Sequence, residues 1–338
     1  VEAPTVRTRL WSDGRLEARD FPLERLAEHV RTEGALVWVD LLNPSPATLD
    51  VLAGQLGFDP RAVEDIVEHG GRTKATRYAT HTVLNVYATA LGPQVPGSLE
   101  SRLLTARVSI FAMPAAVVTV RLENDSARTV FDIDEVVRRW DDNSDLLRMG
   151  SAALLHGVLD VVVDEQFDTI QQLDDTIESL EDVLFGDRSQ TRQLQRDTYR
   201  VRKELVELRR IVLPMREVMN TVMRRSSPGT GTGEFDGWYA DLYDDVIRAA
   251  EWTESLRDMI TTVFETNLSL QDARLNTIMK KLTGWAGIIA VPTLVTGWFG
   301  QNVPYPGFGQ ISGVVASALV SILTAAALFV AFRRRDWL

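Results

Sequence analysis

Apolar positions along this chain follow different periods in different places, and the change of period divides it into three parts. In the first part the pattern is mixed. Pro22 to Thr32 carries helical spacing, while Ala35 to Leu42 is a near-continuous apolar run bounded by Gly34 and the Asn43-Pro44 turn, as expected of a buried strand. Ser45 followed by Pro46 supplies an N-cap and a first helical position, predicting a helix through Leu56. A second short helix is expected over Pro60 to Glu68. Further strands are expected over Tyr78 to Leu91 and over Ala106 to Arg121, the latter turning back as a hairpin at Pro114. Residues 1–127 therefore read as an α/β domain.

From Ala127 the period is helical and stays so. Arg128 to Trp140 is a short amphipathic helix, Gly150 to Phe185 a long one rich in Asp and Glu, and Gln190 to Arg225 another rich in Arg. An acidic helix followed by a basic one predicts an antiparallel hairpin closed by apolar seams, its exposed charge pairs each contributing little. Ser226 to Gly233 interrupts the pattern, and a last long helix opens near Phe235. The interruption is glycine-rich, but a phosphate-binding loop needs a strand before it and Gly-Lys-Ser/Thr at its end. Here an Arg-rich helix leads in and Glu234-Phe235 leads out, so it reads as a linker. Residues 128–280 thus form a helical hairpin and a long stalk helix.

The third part, 281–338, is apolar except at its two ends. Between Leu282 and Phe332 there is no Asp, Glu, Lys or Arg. One membrane crossing takes roughly 20 apolar residues, and Pro304, Pro306, Gly307 and Gly309 punctuate the middle, leaving spans of Leu282–Phe299 and Ile311–Phe332 joined by a short loop at about 300–310. Lys280-Lys281 precede the first span and Arg333-Arg334-Arg335 follow the second, while the loop is uncharged. Both termini are expected on the cytoplasmic side. The start of the chain shows no signal-peptide pattern, so targeting is expected to come from the two spans.

Stalk and first span are written on one helix. Acidic residues recur at Asp244, Glu251, Asp258, Glu265 and Asp272, and the same seven-residue register continues through Met279, Ala286, Thr293 and Gly300. Two readings stand for the acidic half: a solvated face, or a face whose repulsion a cation relieves, since only Arg248, Arg257 and Arg274 are near. A second stripe, Asn276, Met279, Leu282, Ala286, Ala290, Thr293 and Gly297, is small or apolar, with the amides Asn276 and Asn302 at its ends. It suits either close helix packing in lipid or the edge of a watery path.

Charge and candidate chemistry narrow the function class. A net charge of −11 argues against a nucleic-acid partner, which needs a basic face, and is compatible with divalent cations. There is no cysteine for a disulfide or thiolate site, and the four histidines, His29, His69, His81 and His156, lack ligand spacing. No nucleophile elbow appears and the carboxylates are dispersed along helices. The chain is expected to be a transporter rather than an enzyme.

Several local sequences then converge. Gly300-Gln301-Asn302 closes the first span, Asn276 to Thr283 leads into it, Pro292-Thr293 lies within it, and Phe332 to Leu338 ends the chain. Upstream are Leu154 to Asp164 and Val63 to Ile66. Together they resemble the CorA family of divalent-cation transporters, whose signature at the first position is Gly-Met-Asn.

The resemblance implies a funnel-shaped homopentamer in the plasma (inner) membrane: an α/β cytoplasmic domain, long α-helical stalks and two transmembrane helices per copy. It implies a selectivity filter at Gly300, Gln301 and Asn302, and a pore lined by Asn276, Met279, Leu282, Ala286, Ala290, Thr293 and Gly297. It further implies that magnesium, the expected permeant and regulatory ion, is held between subunits by Asp241 on the stalk and by Glu64 and Asp65 on the neighbouring α/β domain; Glu265 joins this set from the acidic stripe. The implied partners are other copies of the chain, the bilayer and divalent metal ions, cobalt and nickel among them. A ring of neutral amides suits magnesium, which sheds water reluctantly and can be held through its hydration shell. This chain departs from the family pattern at Gln301, in the lack of acidic residues over Val303 to Gln310, and at Ala290, where a bulky gate residue is common. Those departures keep open a zinc transporter of the ZntB type and a non-conducting cation sensor or scaffold.

Overall fold

The computed structural model describes residues 5–67, 71–95, 98–122, 130–186, 191–224, 233–301 and 304–337. They fall into two compact units, Val1–Val263 and Phe264–Leu338.

The first unit is built on a seven-stranded sheet: β1 (Thr5–Ser12), β2 (Arg15–Arg19), β3 (Ala35–Leu42), β4 (Lys74–Arg77), β5 (Thr82–Leu91), β6 (Leu103–Ala112) and β7 (Ala116–Leu122). Across the sheet they run β2-β1-β3-β7-β6-β5-β4. Only β3 and β7 pair in parallel, with Val37 opposite Ala116; the other ladders are antiparallel.

Strand β3 explains the layering. Its alternate residues Val37, Val39 and Leu41 pack with Leu26 of α1 (Leu26–Arg31), Leu49, Leu52 and Leu56 of α2 (Pro46–Leu56), and Ala62 and Ile66 of α3 (Pro60–Val67). Leu36 and Trp38 point the other way, into a core with Val136 and Trp140 of α4 (Ile133–Asp142), Leu154, Val158 and Val162 of α5 (Ser151–Phe185), and Met215 and Met219 of α7 (Met215–Met223). A strand covered on both faces has no wet side, which is why its sequence is a run rather than an alternation. Its one charged residue, Asp40, is buried but satisfied: Arg121 donates from Nε (3.1 Å) and Nη2 (2.7 Å), and Thr119 from Oγ1 (2.7 Å).

Helix α2 begins where the sequence places it, with the Ser45 side chain accepting from Thr48 N and Pro46 at the first position. It ends at Gly57, whose φ of 69° is left-handed. Helix α5 crosses the sheet over β5, where Gln166 Nε2 donates to the Tyr87 carbonyl at 2.8 Å, and then packs against α6 (Thr191–Val212); Leu173 and Ile177 of α5 and Leu194, Val201 and Leu205 of α6 are buried. Where α4 meets α5 the fit is tight. A Cβ on Gly157 would collide with the Trp140 indole at Nε1.

Several expectations are corrected. Two strands not anticipated from the sequence open the fold: β1, whose Arg7 and Arg9 pair with Asp134 and Asp141 of α4, and β2, where half-buried Leu16 and Ala18 alternate with exposed Arg15, Glu17 and Arg19. The strand expected over Tyr78 to Leu91 starts only at Thr82. Tyr78 to His81 is a tight reversal, with Tyr78 N donating to the His81 carbonyl at 2.8 Å, and Lys74–Arg77 forms an extra strand before it. The helix expected from Gln190 to Arg225 is two helices, α6 and α7, parted at Pro214, whose ring cannot continue the hydrogen-bond ladder. Helix α4 starts at Ile133 because Asp132 caps it, accepting from Asp134 N at 2.9 Å. The glycine-rich linker lies outside the described residues up to Thr232, and α8 (Gly233–Phe299) begins after it.

The second unit holds the end of α8 and α9 (Ile311–Arg334), and both helices are long and apolar enough to cross a membrane. They lie side by side, with Phe332 3.6 Å from where a Cβ on Gly287 would sit and Trp285 facing Phe329 at 6.4 Å between ring centroids. An aromatic clasp closes the turn between them: Tyr305 stands edge-on to Phe299 and Phe308, and its hydroxyl donates to the Phe299 carbonyl at 3.2 Å.

Candidate functional site

Within the first unit, α8 buries Tyr239, Leu242, Val246, Ala249, Thr253, Leu256, Ile260 and Val263. The steps alternate between three and four, so this is a seam of the seven-residue type. Asp244, Glu251 and Asp258 fall two positions before or after seam residues, on the opposite side of the helix, and all are exposed. In the single chain this half of the acidic stripe is exposed on the side away from the core. Glu265 and Asp272, in the second unit, are likewise exposed.

The carboxylates expected to hold a metal are dispersed in the single chain. Asp241 is exposed on the first turns of α8, three residues after Trp238, whose carbonyl lies 3.3 Å from His156 Nε2. Burial pushes the His156 imidazole below its ordinary pKa, against the opposing pull of Asp160. Glu64 is exposed on α3. Its neighbour Asp65 is half-exposed and paired with Lys74 of β4, Nζ to Oδ2 at 2.7 Å. Among the described residues no three His, Cys, Asp or Glu side chains converge as one chain's metal site. Asp241, Glu64, Asp65 and Glu265 nevertheless offer only carboxylate oxygens, the donor type that magnesium takes.

In the second unit the two sides of α8 differ. Gly284, Gly287, Ile288, Val291, Val295 and Phe299 are buried or half-buried. Asn276, Met279, Leu282, Ala286, Ala290, Thr293 and Gly297 are all exposed, Met279 at 57% and Leu282 at 63%. With about 100° between successive residues, the exposed stripe lies roughly half a turn from the covered one. Pro292 interrupts the backbone ladder on this stretch, and nearby hydroxyls bond to the helix: Thr293 Oγ1 donates to the Ile289 carbonyl (3.3 Å) and Thr296 Oγ1 to that of Pro292 (2.9 Å). Gly300 terminates the helix where a Cβ would approach the Thr296 carbonyl to 3.0 Å. Thr293, Gly297 and Gln301 share a groove of about 620 Å³ with Leu294, Trp298 and Val320. Asn302 lies outside the described residues.

The sequence reading missed an acidic set on α5. Arg139 of α4 is gripped by Glu135 (3.1 Å), Asp160 and Asp164 (2.7 Å). Beside them the Glu165 carboxyl is pushed up to about 7, first by burial and then by the charges of Asp168, Asp132 and Asp164. The signal was present as Asp160, Asp164 and Asp168, one helical turn apart, but it could not be told from an ordinary wet face until α4 brought Arg139 across.

Residues 33–334 match the family model described as CorA-like Mg2+ transporter protein. The putative metal ion transporter YfjQ of Bacillus subtilis is 25% identical over 312 residues, covering 90% of this chain and 92% of that protein. The cobalt/magnesium transport protein CorA of Thermotoga maritima is 31% identical over 186 residues, 55% of this chain and 52% of the other. Among solved structures, the complete CorA magnesium transporter of Methanocaldococcus jannaschii superposes with a TM-score of 0.73 at 20% identity, covering 98% of both chains.

Proposed function

Because the chain belongs to the CorA-like Mg2+ transporter family, and so to general CorA-type divalent-cation transport, we propose that it conducts magnesium through a pore made by several copies of α8. Five copies, as the family resemblance implies, turn the stripe from Asn276 to Gly297 toward a common axis, with both termini in the cytoplasm. The observation that carries this reading is the two-sidedness of α8. One side is covered by α9 of the same chain, and the opposite side, uncharged and small or apolar, is left uncovered from Asn276 to Gly297.

The chemistry follows from the side chains. Asn302 and Gln301 present amide oxygens at the outer mouth, neutral donors that hold a hydrated dication through its waters and release it. Met279, Leu282, Ala286 and Ala290 form an apolar stretch that closes by dewetting, and the exposed carboxylates below, Glu265 and Asp272 among them, concentrate cations. Asp241 of one copy faces Glu64 and Asp65 of the next. Magnesium bridging them favours the closed, symmetric arrangement, and its loss lets the copies separate.

The test is ion uptake into liposomes carrying the full chain. Magnesium flux is expected in the unmodified protein and only background leak in Asn302→Ala. Undiminished uptake by that variant removes the filter role. Zinc entering in preference to magnesium favours the ZntB-type reading, and no flux for any divalent ion favours a non-conducting sensor.

A further inference from the structure

The carboxylate assigned to the sensor already has a cation from its own chain. Lys74 Nζ lies 2.7 Å from Asp65 Oδ2, with the lysine side chain 31% exposed and the aspartate 29%. Lys74 opens the edge strand β4 and Asp65 lies on α3, so the ammonium reaches across two elements to cover the oxygen. Asp65 and Asp59 also act on the nearby Tyr78 hydroxyl, which is pushed up by burial first and then by their charges, with Arg61 opposing.

Resting on the reading of Asp65 as a sensor ligand, we infer that Lys74 is a tethered counter-cation that competes with the divalent metal for Asp65. It thereby raises the metal concentration at which the sensor closes. An ammonium in contact with the carboxylate cancels the charge that would draw a dication and repels one placed beside it. Metal entry through Asp65 therefore requires Lys74 to swing away. Its flexible stem and partial exposure allow that, and solvent holds the cost to the range of a partly exposed ion pair. Lys74 acts through Asp65 and touches no metal itself.

The alternative role is to fasten β4 to α3, and the two roles predict opposite signs. The full-length protein in lipid nanodiscs is titrated with magnesium chloride, and half-maximal protection against limited proteolysis is read. Lys74→Gln and Lys74→Met, the second keeping the apolar stem, are expected to reach half-protection at about fivefold lower magnesium. Lys74→Arg, which keeps the charge, is expected to keep the unmodified midpoint. A midpoint unchanged or raised in both neutral variants overturns the competition, and a raised one points to a fastening role. Asp65→Asn separates this from the underlying reading. If its midpoint moves while the lysine variants do not, competition alone fails. If Asp65→Asn leaves the midpoint where it was, the sensor reading fails and the inference with it.

Discussion

Helix α8 behaves differently in the two units it passes through. Between Tyr239 and Val263 it has one buried seam and an exposed acidic face; from Asn276 onward it is apolar around most of its circumference and largely exposed, covered only where α9 packs. In the first stretch the chain supplies its own core, so burial follows from folding alone. In the second, Leu282, Ile289, Leu294 and Trp298 stay more than half exposed within one chain. An apolar surface of that kind suits lipid, and in the proposed pore part of it lines the conduction path.

That comparison is sharpened by paired truncations. Leu256→Ala, in the seam, is expected to cost about 2–5 kcal/mol and lower the melting temperature of the full-length protein. Leu282→Ala is expected to leave that melting temperature within about 2 °C, a small ΔΔG for a chain of this size, while changing magnesium uptake. If both lower it equally, the two stretches do not differ as described.

Next in size is Gly157→Ala, which forces a methyl against the Trp140 indole and is expected to cost about 1–3 kcal/mol in denaturant titration. Glu165→Gln acts in the opposite direction. Its folded carboxyl titrates near 7 against an ordinary 4.5, so the native state binds more protons than the unfolded chain across that interval, and stability falls as pH rises through it. The amide is therefore expected to stabilise by about 1 kcal/mol at pH 8, after allowance for solvent screening, and by nothing at pH 4. Equal gains at both pH values would remove the charge explanation. The smallest effect is expected at Asp258→Asn on the wet face, within about 0.5 kcal/mol.

Much of the first unit was legible in the sequence because its signals are local. Ser45-Pro46 caps a helix, and the run Ala35 to Leu42, short and bounded by Gly34 and Asn43-Pro44, reads as a strand covered on both faces. Strand β1 was harder to read, since Arg7 and Arg9 find their partners only once α4 supplies Asp134 and Asp141, whereas β2 carried a short alternation of Leu16 and Ala18 with charged residues. The break between α6 and α7 was legible at Pro214 and overlooked. Of the candidate site, the stripe from Asn276 to Gly297 could be read from spacing. The engagement of Asp65 by Lys74 could not, because the two lie on different elements, α3 and β4, whose separate periods do not relate one side chain to the other.

The sequence by itself determined which segments are helix or strand over most of the chain, where the two apolar spans begin and end, and which family pattern they carry, because hydrophobic period, caps and charge gaps act over a few residues. Tertiary structure decided which side of each helix is covered. It placed the acidic residues of the stalk opposite a buried seam, set α9 against one side of α8 and left the other bare, and gave Asp65 an ammonium for company. Such outcomes depend on separate elements, near or far in the chain, arriving at the same place, and no period within one element encodes that.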